Sequence, residues 1–231
     1  MSEMVQITPL NKRHDVNKPI DSANRAALVR RGILLEYFTI GWNLLEGAVA
    51  VSAGIIAGSP SLVGFGFDSF IESTSGATLL WRLRVDDAAT RERREHIALR
   101  LVGACFLLLA AYVAYDSITT LIWRESPDRS FSGIALLIIS LIVMPVLARN
   151  KRSVARQIKS RALEADSKQT DLCVYLSAIS LGGLGLNALF GWWWADPLAA
   201  LVMIPIIVKE GIKGLRGESC CAEGACHSSS Q

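Results

Sequence analysis

Long apolar runs alternate with short charged tracts along this chain, and the alternation predicts six helices at 33–57, 62–81, 97–123, 131–147, 163–191 and 195–208. Most runs approach the roughly 20 apolar residues needed to cross a bilayer core of about 30 Å. Two are interrupted by Pro145 and Pro205, which membrane helices accommodate because neighbouring groups re-satisfy the freed carbonyls. The fifth run has Asp166, Lys168 and Asp171 in its first third, so it begins either at 163 or, with a solvated amphipathic lead-in, only at Leu172. The pattern predicts an all-α integral membrane protein, a six-transmembrane-helix bundle. Its organisation is a flexible arm at 1–30, a transmembrane domain at 31–216 and a short Cys-rich tail at 217–231.

Charge placement gives this bundle an orientation. Basic residues crowd the amino-terminal arm (Lys12, Arg13, Lys18, Arg25, Arg30, Arg31), the second connection (Arg82 to Arg100) and the fourth, from Arg149 through Lys168. The carboxyl end adds Lys209, Lys213 and Arg216, whereas Arg124 and Arg129 alone fall on the other side. The positive-inside rule then puts both termini in the cytoplasm, in agreement with an even number of spans. With half of its residues (51%) hydrophobic and a net charge of only +3, the chain calls for no nucleic-acid partner. The expected setting is a lipid bilayer, a bacterial-type inner membrane or its equivalent. No apolar signal-peptide core precedes the first run.

Against this background, Asp68 and Glu72 stand out. They lie four residues apart in a run with no other charge until Arg82. Each mid-membrane carboxylate costs about 2.5 to 3.5 kcal/mol on insertion scales, so such acids face a bundle interior and mark an ion or proton path. A spacing of one turn puts both on one helix face, a hard anionic half-site for a cation. The second cluster is in the fifth run, where Asp166, Gln169, Thr170 and Cys173 share one stripe and Asp171 points away from Cys173. Carboxylate and thiol on one stripe suit a borderline-soft divalent metal such as zinc. A buried cysteine alone is more often a small hydrophobe; the company of Asp166 makes it a candidate ligand.

The motifs in combination resemble those of the cation diffusion facilitator family. The run from Gly58 and Ser59 through Asp68 to Glu72 is similar to that family's Gly-Ser turn followed by an acid or His and, four residues on, an Asp. The stretch Gly191-Trp192-Trp193-Trp194-Ala195-Asp196-Pro197 resembles its approach to the sixth helix. The resemblance implies Asp68 and Glu72 as metal ligands, export of a divalent cation such as zinc, and a homodimer. Counting back from Asp196 puts the family's fifth-helix pair near Gln169 and Cys173, neither the usual residue, while a slipped register would put Asp166 or Asp171 there. The chain is similar to the short branch of transmembrane zinc-efflux proteins that lack the cytoplasmic domain following helix six.

Further polar residues are secondary candidates. Glu36, Asn43 and Glu46 lie on nearly one face of the first run, where Glu46 could join the cation path and Asn43 is expected to hydrogen-bond between helices. In the tail, Cys220, Cys221, Cys226 and His227 could capture a soft metal, although their spacing matches no standard zinc module. Asp196 and the tryptophans read as helix capping and an interfacial aromatic belt, Cys105 as packing, and Gly182, Gly183 and Gly185 as close helix contacts.

Three histidines and no nucleophile–base pair, phosphate loop or cofactor motif argue against an enzyme. The expected function is divalent-cation efflux, with protons as the second partner and no cofactor beyond the cargo itself. Two acids one turn apart discourage simultaneous ionisation and titrate as a unit, and metal binding to deprotonated ligands releases protons, so one site can carry both in alternating access. The rival is a non-transporting metal sensor or scaffold, which has no need of paired acids at mid-depth.

Overall fold

The structure, a computed structural model, describes residues 22–82 and 88–216. The described residues form six helices: α1 (Ser22–Ala57), α2 (Pro60–Arg82), α3 (Ala88–Trp123), α4 (Phe131–Ile158), α5 (Arg161–Phe190) and α6 (Ala195–Arg216). All six expected apolar runs are helical, but the helices outlast them. Lipid solvation sets the length of an apolar run, whereas backbone hydrogen bonding carries a helix on into its charged flank. Thus α1 starts inside the expected flexible arm, α4 continues past 147 to Ile158, and α5 begins at Arg161 rather than at Leu172. The chain passes through Pro145 and Pro205 without leaving the helix. The tail, with Cys220, Cys221, Cys226 and His227, lies outside the described residues, as does most of the arm.

Helix ends follow local chemistry. Gly58, at φ +62°, adopts the left-handed conformation that closes α1, and its neighbour Ser59 accepts a hydrogen bond from Leu62 N at 3.2 Å to start α2. The Gly-Ser pair is therefore a stop and a start. Ser130 and Ser160 cap α4 and α5 in the same way, and Gly191, at φ +67°, ends α5.

Four helices are long and apolar enough to cross a membrane, with candidate spans Arg25–Ala57, Leu99–Trp123, Phe131–Ile158 and Asp166–Phe190. The other two, α2 and α6, have 23 and 22 residues, roughly 33–35 Å at 1.5 Å per residue. Their length matches a bilayer core, and both carry charged residues along it, Asp68 and Glu72 in α2 and Asp196, Lys209, Glu210 and Lys213 in α6.

The most extensive contacts are α1 on α2, α3 on α6 and α4 on α5. α2 sits centrally, touching α1, α3, α5 and α6. The α3–α6 pair is held close by glycine: a Cβ on Gly214 would lie 2.7 Å from the Gly103 Cα. Of the three glycines expected in close contacts, only Gly183 is in one, against Ala195 and Ala199; Gly182 and Gly185 meet nothing within 4 Å. One apolar cluster, including Phe65, Val113, Leu137, Met144, Leu176 and Met203, joins the helices. Many large apolar side chains point outward, among them Ile56, Leu108, Ile122, Ile142 and Leu189, as a lipid-facing surface requires. Cys105, expected in packing, is exposed instead.

Candidate metal centre

Asp68 and Glu72 on α2 and Cys173 on α5 each offer one ligand atom to a group in which the three atoms lie within 4.8 Å of one another. All three side chains are buried. The thiol donates to Asp68 Oδ2 at 3.7 Å, and the Thr170 hydroxyl lies 3.0 Å from Glu72 Oε1 and 3.3 Å from the Asp166 carbonyl. Glu72 Oε2 has no hydrogen-bond partner among the described residues. A buried carboxylate oxygen in that condition is costly unless something cationic or protic reaches it. One turn of α2 and the facing stripe of α5 thus supply two hard oxygens and one soft sulfur, a donor set suited to a borderline divalent ion.

Beside these side chains is a cavity of about 10 Å³, about one water-sized sphere. Its lining includes Asp68, Glu72, Gln169 from α5, Phe106 from α3, and Ile206 and Glu210 from α6. Gln169 is tethered by Ser75, which donates to its Oε1 at 3.1 Å, leaving the amide nitrogen as a donor rather than a metal ligand in this arrangement.

The remaining sequence candidates are placed elsewhere. Asp166 shares the expected stripe with Thr170 and Cys173, but its carboxylate is held 2.5 Å from Lys151 Nζ. The same ammonium lies 3.0 Å from Glu36 Oε2, so α1, α4 and α5 meet in a buried Glu36–Lys151–Asp166 triad. Asp171 points away, as its register requires, and pairs with the Arg152 guanidinium in a partly exposed bridge. The structure therefore does not bring Asp166 or Asp171 to the other three, because each is already neutralised by a cation from α4. Glu46 is fully buried and accepts from Ser69 at 3.1 Å, one turn along α2 from Glu72, while Asn43 is buried without the interhelical hydrogen bond expected of it.

Two residues were not anticipated. Lys151 belongs by sequence to the basic tract of the fourth connection, yet it is completely buried. A signal was present: Leu147, Lys151, Val154 and Ala155 follow helical spacing along the buried face of α4. Glu210 lay past the end of the sixth apolar run, but it falls three and four residues after Ile207 and Ile206, which line the same cavity.

At the opposite end, Asp196 does more than cap a helix. Its Oδ1 accepts from Ser59 at 2.9 Å and from Ser61, tying the start of α6 to the start of α2. The Gly-Ser and Asp-Pro motifs, 137 positions apart in the Ser59–Asp196 bond, are one structural feature. Trp192 and Trp194 stack beside it with centroids 5.3 Å apart.

An all-helical bundle with an apolar exterior and several acids buried in its interior has the make-up of a multi-pass integral membrane protein of the transporter type. The cation efflux transmembrane domain matches residues 38–216, most of the chain, and the protein belongs to that family. Transmembrane protein 163 of Xenopus laevis is 24% identical over 193 residues, covering 80% of this chain and 66% of its own length. An uncharacterized transporter of Synechocystis is 27% identical over 172 residues (71% of this chain, 55% of its own). A cadmium, cobalt and zinc/H(+)-K(+) antiporter of Bacillus subtilis is 27% identical over 129 residues, covering 52% of this chain and 38% of its own. The chain thus spans less than two thirds of the length of each of these relatives. Membership establishes a cation transport domain.

Proposed function

We propose that the protein exports a divalent metal cation, zinc foremost, from the cytoplasm by alternating access, in exchange for protons. The observation that carries this reading is the convergence of Asp68, Glu72 and Cys173 within 4.8 Å in the buried interior. Metal binding needs these ligands deprotonated, so a cation loading the site displaces protons, and protons arriving from the other face displace the cation. The two-acid, one-thiol set favours zinc or cadmium over manganese or magnesium. The Bacillus relative, whose name specifies cadmium, cobalt, zinc and protons, supports that choice. Basic residues in α1, in the α4–α5 connection and at the end of α6 support a cytoplasmic position for both termini. In this reading residues 31–216 are the transport unit, working as a homodimer, and the cysteines after 217 capture metal for it.

The test is zinc flux into proteoliposomes loaded with a metal-sensitive dye, with internal pH followed in parallel. Saturable zinc movement accompanied by opposite proton movement supports the proposal. Zinc binding without flux in the wild-type protein would overturn it in favour of a sensor.

A further inference from the structure

The cavity beside the candidate metal centre is lined by residues of α2, α3, α5 and α6. The Lys151 ammonium, held between Glu36 and Asp166, is not part of the cavity lining. On the side of α6, the cavity is lined by Ile206, Ile207 and then Glu210, an acid whose side chain is 20% exposed. Glu210 lies toward the basic end of α6, one turn before Lys213, whose Nζ is 3.2 Å from Glu210 Oε1. Glu72, whose Oε2 is buried and without a hydrogen-bond partner among the described residues, lines the same cavity.

We infer that Glu210 is a further cation-binding residue of this protein, a transit ligand at the mouth of the cavity that takes a divalent ion before it reaches Asp68, Glu72 and Cys173. Lys213 holds the Glu210 carboxylate in place and gives it up as the incoming ion replaces the ammonium. Partial exposure lets Glu210 meet a hydrated ion, and its place on the cavity wall lets it deliver that ion to a space large enough for little else. The path along α6 follows from the lining: a partly exposed acid stands on the same cavity wall as the buried Asp68 and Glu72. The role on a transport path rests on the function proposed above; the binding itself does not.

Two measurements on the full-length chain, with Cys220, Cys221 and Cys226 replaced by serine, separate the parts. In zinc-binding titrations in detergent, Asp68→Asn is expected to remove the tight step and leave a weaker one, which the added Glu210→Gln removes and Glu210→Asp preserves. Persistence of the weak step in Asp68→Asn/Glu210→Gln overturns the inference. In proteoliposomes, Glu210→Gln alone is expected to raise the zinc KM by about tenfold, the loss of one charged contact, with kcat little changed. An unchanged KM in a transporting protein also overturns the transit role. If the wild-type protein moves no zinc while the weak step still depends on Glu210, the transport reading fails and the binding assignment stands.

Discussion

Glu36 and Asp166 are as buried as Asp68 and Glu72, yet the first pair closes on the Lys151 ammonium at 3.0 and 2.5 Å while the second faces a thiol and a small cavity. The two groups are neighbours: Thr170, within hydrogen-bonding distance of Glu72, sits one turn along α5 from Asp166. Burial and residue type are therefore not what separates a structural cluster from a binding site. The difference is whether the chain itself supplies the compensating charge. Where it does, the acids fasten helices together; where it does not, the proposed function has cargo or protons supply the compensation.

The sharpest way to break this contrast is to remove the unneutralised acids. Asp68→Ala and Glu72→Gln are each expected to lower zinc flux by about a hundredfold, ~2.7 kcal/mol, while leaving the detergent-solubilised fold intact. Flux close to wild type in both would erase the distinction. The neutralised cluster should respond in the opposite sense. Lys151→Met strands two buried carboxylates and is expected to cost about 3–5 kcal/mol of stability, read as earlier thermal unfolding in detergent. Replacing all three, Glu36→Leu, Lys151→Met and Asp166→Leu, should recover most of that loss, because a matched apolar set carries no desolvation penalty.

Smaller changes sharpen the chemistry. Cys173→Ser keeps a hydroxyl in place of the soft sulfur and should reduce the preference for cadmium over manganese by roughly tenfold, measured as competing fluxes. Metal affinity in wild type should fall as pH is lowered, because protons compete for the same oxygens and sulfur; a pH-independent affinity would argue against those ligands. The least effect is expected at Arg152 and Asp171, whose bridge is about one-third exposed on both sides: Asp171→Asn should change stability by less than about 1 kcal/mol and leave flux unaltered.

The six helices and the central acids were legible because both depend on chemistry local to the chain. Apolar runs of bilayer length can satisfy their backbone in lipid only as helices, and a spacing of four fixes Asp68 and Glu72 on one face whatever surrounds them. The fifth helix was legible only in part. Its stripe grouped Asp166, Gln169, Thr170 and Cys173 correctly, but periodicity assigns a face, not a partner. The 25 residues from Asp166 to Phe190 would look the same whether Asp166 met a metal or a lysine. Lys151 was obscured because a basic residue near a helix end normally serves topology, and Glu210 because it follows the apolar run rather than interrupting it.

The amino-acid sequence by itself determined an all-helical bundle, a pair of acids on one face of the second helix, and a stop–start turn at Gly58 and Ser59. The tertiary structure decided which acids remain unneutralised. Lys151 comes from α4, Glu36 from α1 and Asp166 from α5, and their meeting is a property of helix packing, not of spacing. The same packing sets Cys173 against Asp68 across 105 residues of chain and brings Glu210 to their cavity. Coulomb forces and ligand bonds act over a few ångströms, and only folding decides which distant residues come that close.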